Sequence, residues 1–296
     1  MRRRPFAPAE ADTVVAFCAA HGQVHDLTLV RALLLDLSSD PVGVTVLEDG
    51  GGIALVASVV DRIRNGADAA NLETLGVRTP PAASEFIRLV VEPAIVFARA
   101  GERSALQVPL PASLADAGGF DEALRAAGFA HAYDCFEMRR PPSAPPPAPP
   151  APLPPGWSWV DVDAARVDAA HAALLEMFRH APSTSAKPLA DFRKAVVSGV
   201  ARWRALLDGD RIAGLVRTSS DGTRGKVRVL GRVPAYRGQG LGPRLMTEAL
   251  RLLDAAGAAD VELDLEAANN RALDLYRNFG FEVVTRTPVF MLPLRG

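Results

Sequence analysis

The alternation of apolar and polar positions is clearest in the last quarter of the chain. A β-rich run, Val227–Leu230, leads into a glycine-rich segment, and apolar residues then recur at the spacing of one helix face. These residues are Leu245, Ala249, Leu252, Leu253 and Ala256. Pro243 falls in the first turn, where a missing N–H costs nothing, and Gly257 follows as a helix stop. The pattern predicts a strand, a glycine-rich turn and an amphipathic helix.

The two halves of the chain are similar in the order of their signals. The paired segments are 42–47 with 202–207, 53–60 with 212–217, 75–80 with 230–234, 105–109 with 261–265, and Gly128-Phe129 with Gly280-Phe281. The offsets lie between 152 and 160 residues and are nearly collinear. This predicts a duplicated α/β unit. Each unit reads as two helices, three strands, helix, strand, helix and strands, which predicts a mixed sheet. In the second unit the two helices are predicted near 164–178 and 189–198.

A proline-rich tract separates the two halves. Residues 141–156 contain prolines that lack an N–H and fix their own φ, so the tract favours polyproline II over a packed element. It could extend to about 50 Å as a stiff spacer. A ligand for SH3-like domains is the other interpretation. The predicted division is therefore 1–140, 141–156 and 157–296.

Composition narrows the classes of function. The 296 residues are 49% apolar and carry a formal charge of -1, so a globular chain is expected, with neither nucleic acid nor membrane as a partner. No apolar run approaches the roughly 20 residues of a membrane span, and no apolar stretch follows the arginines at 2–4 as it would in a signal peptide. Cys18 and Cys135 lack metal-like spacing, which predicts reduced thiols, no metal and a cytoplasmic protein.

The glycine-rich turn carries the clearest chemistry. Arg237-Gly238-Gln239-Gly240-Leu241-Gly242 joins a strand to a helix N-terminus, where unpaired amides and the helix dipole suit a pyrophosphate. A P-loop is excluded because Lys-Ser or Lys-Thr is absent. The dinucleotide fingerprint fits at Gly238 and Gly240, and Glu262 would suit it, but its third glycine is replaced by Pro243. A turn that binds nothing is the remaining alternative.

Two strings resemble motifs of the GNAT acetyltransferases. Residues 234–242, Pro-Ala-Tyr-Arg-Gly-Gln-Gly-Leu-Gly, are similar to motif A, and residues 269–281, Asn-Asn-Arg-Ala-Leu-Asp-Leu-Tyr-Arg-Asn-Phe-Gly-Phe, are similar to motif B. The resemblance covers roughly Trp157 to Leu294. It implies two GNAT-like domains of α/β (α+β) class, each with a mixed, mostly antiparallel sheet flanked by helices. It also implies acetyl-CoA, or another acyl-CoA, as co-substrate.

The resemblance also implies roles for individual residues. The amides of Arg237 to Gly242 would hold the pyrophosphate, and the main chain of Leu230 to Val233 would pair with the pantetheine arm where that strand splays from 261–265. Asn269 would cap its helix and contact pantetheine, and Tyr276 would protonate the leaving thiolate, unless it is a core aromatic. The expected site residues are Leu230, Arg232, Val233, Arg237, Gly238, Gln239, Gly240, Leu241, Gly242, Asn269 and Tyr276.

Two departures from the family leave roles open. Arg232 stands where a small or β-branched apolar residue is usual, and it could contact a phosphate, an acidic acceptor or solvent. The usual position of the general base, on the strand before motif A, holds only Lys226, Arg228 and Arg232. Possible substitutes on the next strand are Glu262, Asp264 and Glu266. His171 and His180 are expected to be surface or capping histidines, so the base stays unassigned.

The first half is expected to have lost coenzyme A binding. Its equivalent of the turn, Val77 to Glu85, has no glycine, two prolines and a carboxylate. The layout resembles tandem GNAT proteins such as the mycothiol synthases, with a degenerate first copy. The function implied is transfer of an acetyl group to a primary amine of a small molecule or peptide. The alternatives are a non-catalytic acyl-CoA-binding or regulatory protein, and a nucleotide-binding oxidoreductase. Oligomeric state is left open.

Overall fold

A computed structural model describes residues 1–22, 27–37, 40, 43–64, 67–145, 152–181, 186–197 and 203–294. Contacts divide the chain into two compact units. Unit 1 is Met1–Cys135 with Arg286–Gly296, and unit 2 is Phe136–Thr285. The predicted division at residues 140 and 156 stays a prediction, and the compact units differ from it because the last strand of the chain is grouped with unit 1.

Unit 1 is a sheet with helices on both faces. Its strands are β1 (Arg2–Pro5), β2 (Val44–Asp49), β3 (Gly52–Arg64), β4 (Ala67–Val77), β5 (Ala105–Pro109) and the first part of β6 (Ala130–Arg140). Its helices are α1 (Ala11–His21), α2 (Leu27–Asp36), α3 (Ala83–Phe86), continued by a π-helical turn (Ile87–Val91) into α4 (Glu92–Ala100), α5 (Ala112–Ala115) and α6 (Phe120–Ala126). Neighbouring strands β1 to β4 are antiparallel, and β4 and β5 are parallel.

Unit 2 repeats this plan. Its strands are the end of β6, then β7 (Trp157–Asp161), β8 (Trp203–Asp208), β9 (Arg211–Ser220), β10 (Arg224–Arg232), β11 (Asp260–Glu266) and the start of β12 (Glu282–Pro293). Its helices are α7 (Val167–Met177), α8 (Leu189–Val197), α9 (Leu241–Ala255) and α10 (Asn270–Asn278). The order is β6-β11-β10-β9-β8-β7, with β7 to β10 antiparallel and β10 parallel to β11. The predicted fold class, a mixed and mostly antiparallel sheet flanked by helices, is confirmed.

Each unit begins with a strand that the predicted order omits. β1 and β7 lie at sheet edges ahead of the helices. β1 consists of three arginines and a proline, whereas Trp157, Trp159 and Val160 of β7 pack against the core of unit 2. In β1 the arginines form ion pairs, since Arg4 contacts both Glu10 and Glu48, and Arg2 contacts Glu48. Charged edge strands resist pairing with other chains, which is why such a strand carries no hydrophobic signal.

The predicted helices and strands of unit 2 are otherwise confirmed within a few residues. Gly257 has φ of 80° after the C-terminus of α9, and Leu245, Ala249 and Leu253 are buried as expected. Ala256 is exposed, so the apolar stripe ends one turn earlier than predicted. The predicted ends at Val42, Ser198 and Arg202 lie outside the described residues.

The described ends of the proline-rich tract contact unit 2. Arg244 donates a hydrogen bond to the Pro152 carbonyl at 3.0 Å, Leu153 packs on the core of unit 2, and Arg140 donates to the Pro145 carbonyl at 2.6 Å. Residues 146–151 lie outside the described part. Within the described residues, none of the helices combines the length and apolar composition that a bilayer crossing needs.

Candidate active site

The glycine-rich turn is shaped by two glycines with positive φ. Gly238 and Gly240 have φ of 81° and 67°, in the left-handed region that favours glycine, and Gly240 is the N-cap of α9. The Arg237 amide donates to the Pro234 carbonyl at 3.1 Å. Within the described residues, the next amides, from Gly238 to Gly242, donate no turn, loop or cap hydrogen bond. The first turn of α9 contains no acidic side chain. An anion would therefore find both free donors and the positive end of the helix.

Three arginines meet beside this turn. The pKa of Arg232 is lowered by its burial and then by the positive charges of Arg237 and Arg271. None of the three side chains forms a hydrogen bond or ion pair with another of the described residues. Like charges brought together without counter-ions repel one another, so the fold holds an uncompensated positive cluster. We call Arg232, Arg237 and Arg271 the arginine cluster.

The strand that leads to the turn has an open edge. β10 pairs with β11 only from Arg224↔Asp260 to Val227↔Leu263 in the described ladder, whereas its pairing with β9 continues to Arg232. A β-bulge lies between Val227 and Val229. The main chain of Leu230 to Val233 is therefore unpaired on the β11 side within the described ladder. The predicted splay is present, and an open strand edge can pair with an extended ligand.

Gly231 lets the end of α7 approach this strand closely. A Cβ added at Gly231 would lie 2.8 Å from the Phe178 ring and 3.0 Å from the Met177 sulfur. A larger residue at this position would require these two side chains to shift. The glycine therefore leaves room for Met177 and Phe178 against the open strand.

A cavity of ≈ 580 Å³ lies beside the turn in unit 2. It is lined by Glu176, Met177, Arg179, His180, Ala181, Pro234, Arg237, Glu266, Ala268 and Asn269. Asn269 is the N-cap of α10, and its Oδ1 accepts a hydrogen bond from the Ala272 amide at 3.2 Å, as the cap prediction requires. The cavity thus brings together the turn, the end of β11 and the segment after α7.

Tyr276 lies on the buried face of α10. It is 8% exposed, and its ring centroid lies 6.1 Å from that of Phe281. Burial raises the pKa of its hydroxyl to about 12, and no hydrogen bond reaches this hydroxyl from the described residues. The oxygen is not among the fully enclosed polar atoms that lack a partner, so it retains contact with solvent space. Tyr276 does not line the cavity. Both predicted alternatives, a core aromatic and a proton donor, are compatible with this placement.

The three acidic side chains of β11 lie in different surroundings. Lys226 Nζ lies 2.9 Å from Asp264, Glu262 is buried, and only Glu266 of the three lines the cavity. On β10, Arg228 donates to Ser219 Oγ at 2.9 Å. Within the described residues, no group of three or more histidine, cysteine, aspartate or glutamate side chains is placed to hold a metal ion.

The two histidines differ. His171 is 6% exposed, its Nε2 lies 2.8 Å from the Lys187 carbonyl, and its ring contacts Phe192. The prediction of a surface or capping role is therefore wrong for His171, because its neighbours on α7 and α8 enclose it. His180 is exposed, as expected, but it lines the cavity.

Sequence reasoning missed several site residues. Arg271 stands beside Arg232 only through the fold, although its place in the second motif could have drawn attention to it. Glu176 lies in the last turn of α7 and Arg179 follows it, and the end of this helix carries no recognisable pattern, so no signal marked them.

Comparison with known proteins agrees with this geometry. Residues 168–281 match the model of the Acetyltransferase (GNAT) family. This segment of the chain is therefore similar to the GNAT family. Over 87 residues it is 39% identical to a mycothiol acetyltransferase of Corynebacterium efficiens, a match covering 29% of each chain. Over 59 residues it is 44% identical to N-alpha-acetyltransferase RimI of Mycobacterium tuberculosis, covering 20% of this chain and 35% of that protein. The alignments thus span about a third or less of these relatives.

Solved structures are similar over the whole chain. A tandem GNAT protein from the clavulanic acid biosynthesis pathway has a TM-score of 0.65 at 16% identity, covering 100% of this chain and 99% of its own. A GCN5-related N-acetyltransferase from Sphaerobacter thermophilus has a TM-score of 0.65 at 20% identity, covering 100% and 96%. At these identities the similarity establishes the fold.

Proposed function

We propose that the chain is an N-acetyltransferase that moves an acetyl group from acetyl-CoA to the primary amine of an acceptor. One observation carries the proposal: five successive amides with free donors stand beside an arginine cluster that has no counter-ion in the described residues. A pyrophosphate supplies the missing negative charge and accepts from the amides. The family match of residues 168–281 supports the same conclusion.

In this proposal, the amides of Gly238 to Gly242 bind the pyrophosphate, and the open edge of Leu230 to Val233 pairs with the pantetheine arm. The amine nitrogen attacks the thioester carbonyl carbon, the C–N bond forms and the C–S bond breaks. Tyr276 stabilises the leaving thiolate. Because burial raises the pKa of Tyr276 to about 12, its hydroxyl stays protonated at neutral pH and can donate a hydrogen bond to the thiolate. We assign unit 1 a non-catalytic role.

A non-catalytic acyl-CoA-binding protein is the second candidate. The observation that favours it is Arg228, which occupies the strand where the family places an acid and is bound to Ser219. The two candidates agree on binding and differ on turnover.

Two measurements on the full chain test the proposal. Calorimetric titration with acetyl-CoA is expected to show one site per chain at micromolar affinity. Release of free CoA thiol in the presence of amines is then expected to exceed hydrolysis without amine. Binding without turnover for any amine would favour the second candidate, and absence of binding would overturn both.

A further inference from the structure

The cavity beside the turn is lined by charges of both signs. Five of its ten lining residues are ionisable, namely Glu176, Arg179, His180, Arg237 and Glu266. Arg237 belongs to the arginine cluster, which leaves two acids and two bases facing the remaining space. Such walls do not suit an apolar amine, because its binding would desolvate charged groups without replacing their partners.

The ionisable residues other than Arg237 come from two parts of unit 2. Glu266 ends β11, at the mouth of the gap where the thioester would lie, whereas Arg179 and His180 follow the C-terminus of α7. Glu176 stands one turn before Arg179 on the same segment, yet no ion pair joins it to Arg179 or His180 in the described residues. The basic groups are thus not neutralised by their acidic neighbour and remain available to a ligand.

We propose that the acceptor is a small amino acid with a free carboxylate, an inference that rests on the acetyltransferase function proposed above. Glu266 attracts the ammonium group toward the open strand, and Arg179, with His180 beside it, binds the carboxylate at the far wall. The planar guanidinium matches a carboxylate with two parallel hydrogen bonds. The volume of ≈ 580 Å³ accommodates a compact acceptor together with the end of the pantetheine arm.

The charge pattern also disfavours other amines. A polyamine would bring a second cation toward Arg179, and a lysine side chain would bring a neutral chain toward it. Either acceptor would leave this guanidinium unpaired on binding. The reaction balances as one ammonium and one thioester giving one amide, one thiol and one proton. The ammonium loses two protons in all, one to the thiolate and one to solvent.

Matched sets of acceptors test the proposal. Each set contains an α-amino acid, its carboxamide and its decarboxylated amine with the same side chain, and sets with apolar, acidic and basic side chains are used. Thiol release by the full chain is expected to give a kcat/KM for the free acid at least about tenfold above those of its two partners. Arg179→Ala is expected to remove this preference by lowering the value for the acid alone. Glu266→Gln is expected to lower the value for every amine.

Controls separate binding from folding. Arg166→Ala removes an exposed arginine at the start of α7 that pairs with Asp163, and it is expected to leave the preference unchanged. Arg179→Lys keeps the charge without the fork and is expected to be intermediate. Acetyl-CoA titration of each variant shows whether the remainder of the site is intact. In addition, the amino acid is expected to raise the Tm of the CoA-saturated protein more than its carboxamide does.

The outcomes distinguish the two proposals. Equal use of acid and carboxamide, or an equal loss on both in Arg179→Ala, overturns the amino acid acceptor. Acetyl-CoA binding with no acetylation of any amino acid in the sets also overturns it, while leaving binding intact. Absence of acetyl-CoA binding by the wild-type chain overturns the proposed function itself.

Discussion

The turn at the start of α9 and its counterpart in unit 1, residues 77–85, place opposite charges at the positive end of a helix. In unit 2, glycines leave the amides free and arginines gather beside them. In unit 1, the amides of Arg78 and Thr79 both donate to the Ala54 carbonyl, and prolines occupy the next two positions. Glu85 then receives the N-terminal ammonium group at 2.7 Å and the Ala82 amide at 3.4 Å.

Unit 1 therefore provides its own anion. The ammonium group of Met1 is the main cause that lowers the pKa of Glu85, so the carboxylate stays ionised at the place where phosphate would lie. A shared fold therefore does not preserve a ligand site, because the backbone donors must be left unused and no internal group of the ligand's charge can stand among them.

The double variant Gly238→Pro/Gly240→Pro is expected to have the largest effect on this difference between the two units. It removes two amide donors and forces φ away from the left-handed region, so unit 2 should come to resemble unit 1. We expect acetyl-CoA affinity to fall by at least about 100-fold in calorimetric titration. Gly257→Ala is the matched control, since it strains a positive φ at the other end of α9. Retained affinity in the double variant would contradict the role of the turn.

Tyr276→Phe removes a hydroxyl that has no equivalent on α6, the helix that precedes Gly128-Phe129 in unit 1. We expect kcat to fall about 100-fold with little change in acetyl-CoA affinity, because the hydroxyl acts on the leaving sulfur. Tyr133→Phe, which removes a hydroxyl bound by Gln107 in unit 1, is the control. An unchanged kcat would leave Tyr276 as a core aromatic.

The arginine cluster is the feature through which the turn of unit 2 differs in charge from its counterpart in unit 1. In Arg232→Ala/Arg271→Ala we expect acetyl-CoA to bind about 30-fold more weakly, and its affinity to depend less on salt concentration. Titrations at several ionic strengths measure both effects. Arg277→Ala, an exposed arginine in the last turn of α10, is the control. If the salt dependence stays at its wild-type value, the cluster does not meet the phosphates.

The smallest expected effect is on stability in alkali. Burial raises the pKa of Tyr276 to about 12, above the value of about 10 in an unfolded chain. The associated stability is complete below pH 10 and is lost as pH rises toward 12, because the unfolded chain ionises first. Between pH 8 and pH 11 the free energy of unfolding should fall about 1.4 kcal/mol further in the wild type than in Tyr276→Phe. Urea unfolding at several pH values measures this difference. If the free energy of unfolding falls equally with pH in the wild type and in Tyr276→Phe, the burial of this hydroxyl is contradicted.

Features of the fold that depend on local chemistry could be predicted from the sequence. The glycines and Pro243 mark the turn and the start of α9, and Asn269 marks the cap of α10, because caps and left-handed turns are chosen by neighbouring residues. The edge strand β1 could not be predicted, since it is stabilised by ion pairs with a residue distant in sequence.

The remaining parts of the site depend on long-range contacts. Arg271 meets Arg232 only when β10 and α10 are brought together, and Glu266 is distinguished from Asp264 only by Lys226 and by the position of the cavity. His171 illustrates the same limit, because its burial depends on α8 and on the Lys187 carbonyl. A periodic pattern shows which face of an element is apolar, but it does not show what covers that face.

The grouping of Arg286–Gly296 with unit 1 has a consequence for synthesis. β12 pairs with β5 from Val289↔Pro109 to Pro293↔Ala105, and Phe290 is buried in the core of unit 1. Ribosomes would make unit 1 first up to Cys135 and its last strand only after about 150 further residues. At about 5–20 residues per second, the first unit waits roughly 8–30 s for a strand of its own core. During that interval the exposed edge of β5 is a place where a chaperone, or a neighbouring nascent chain, can pair.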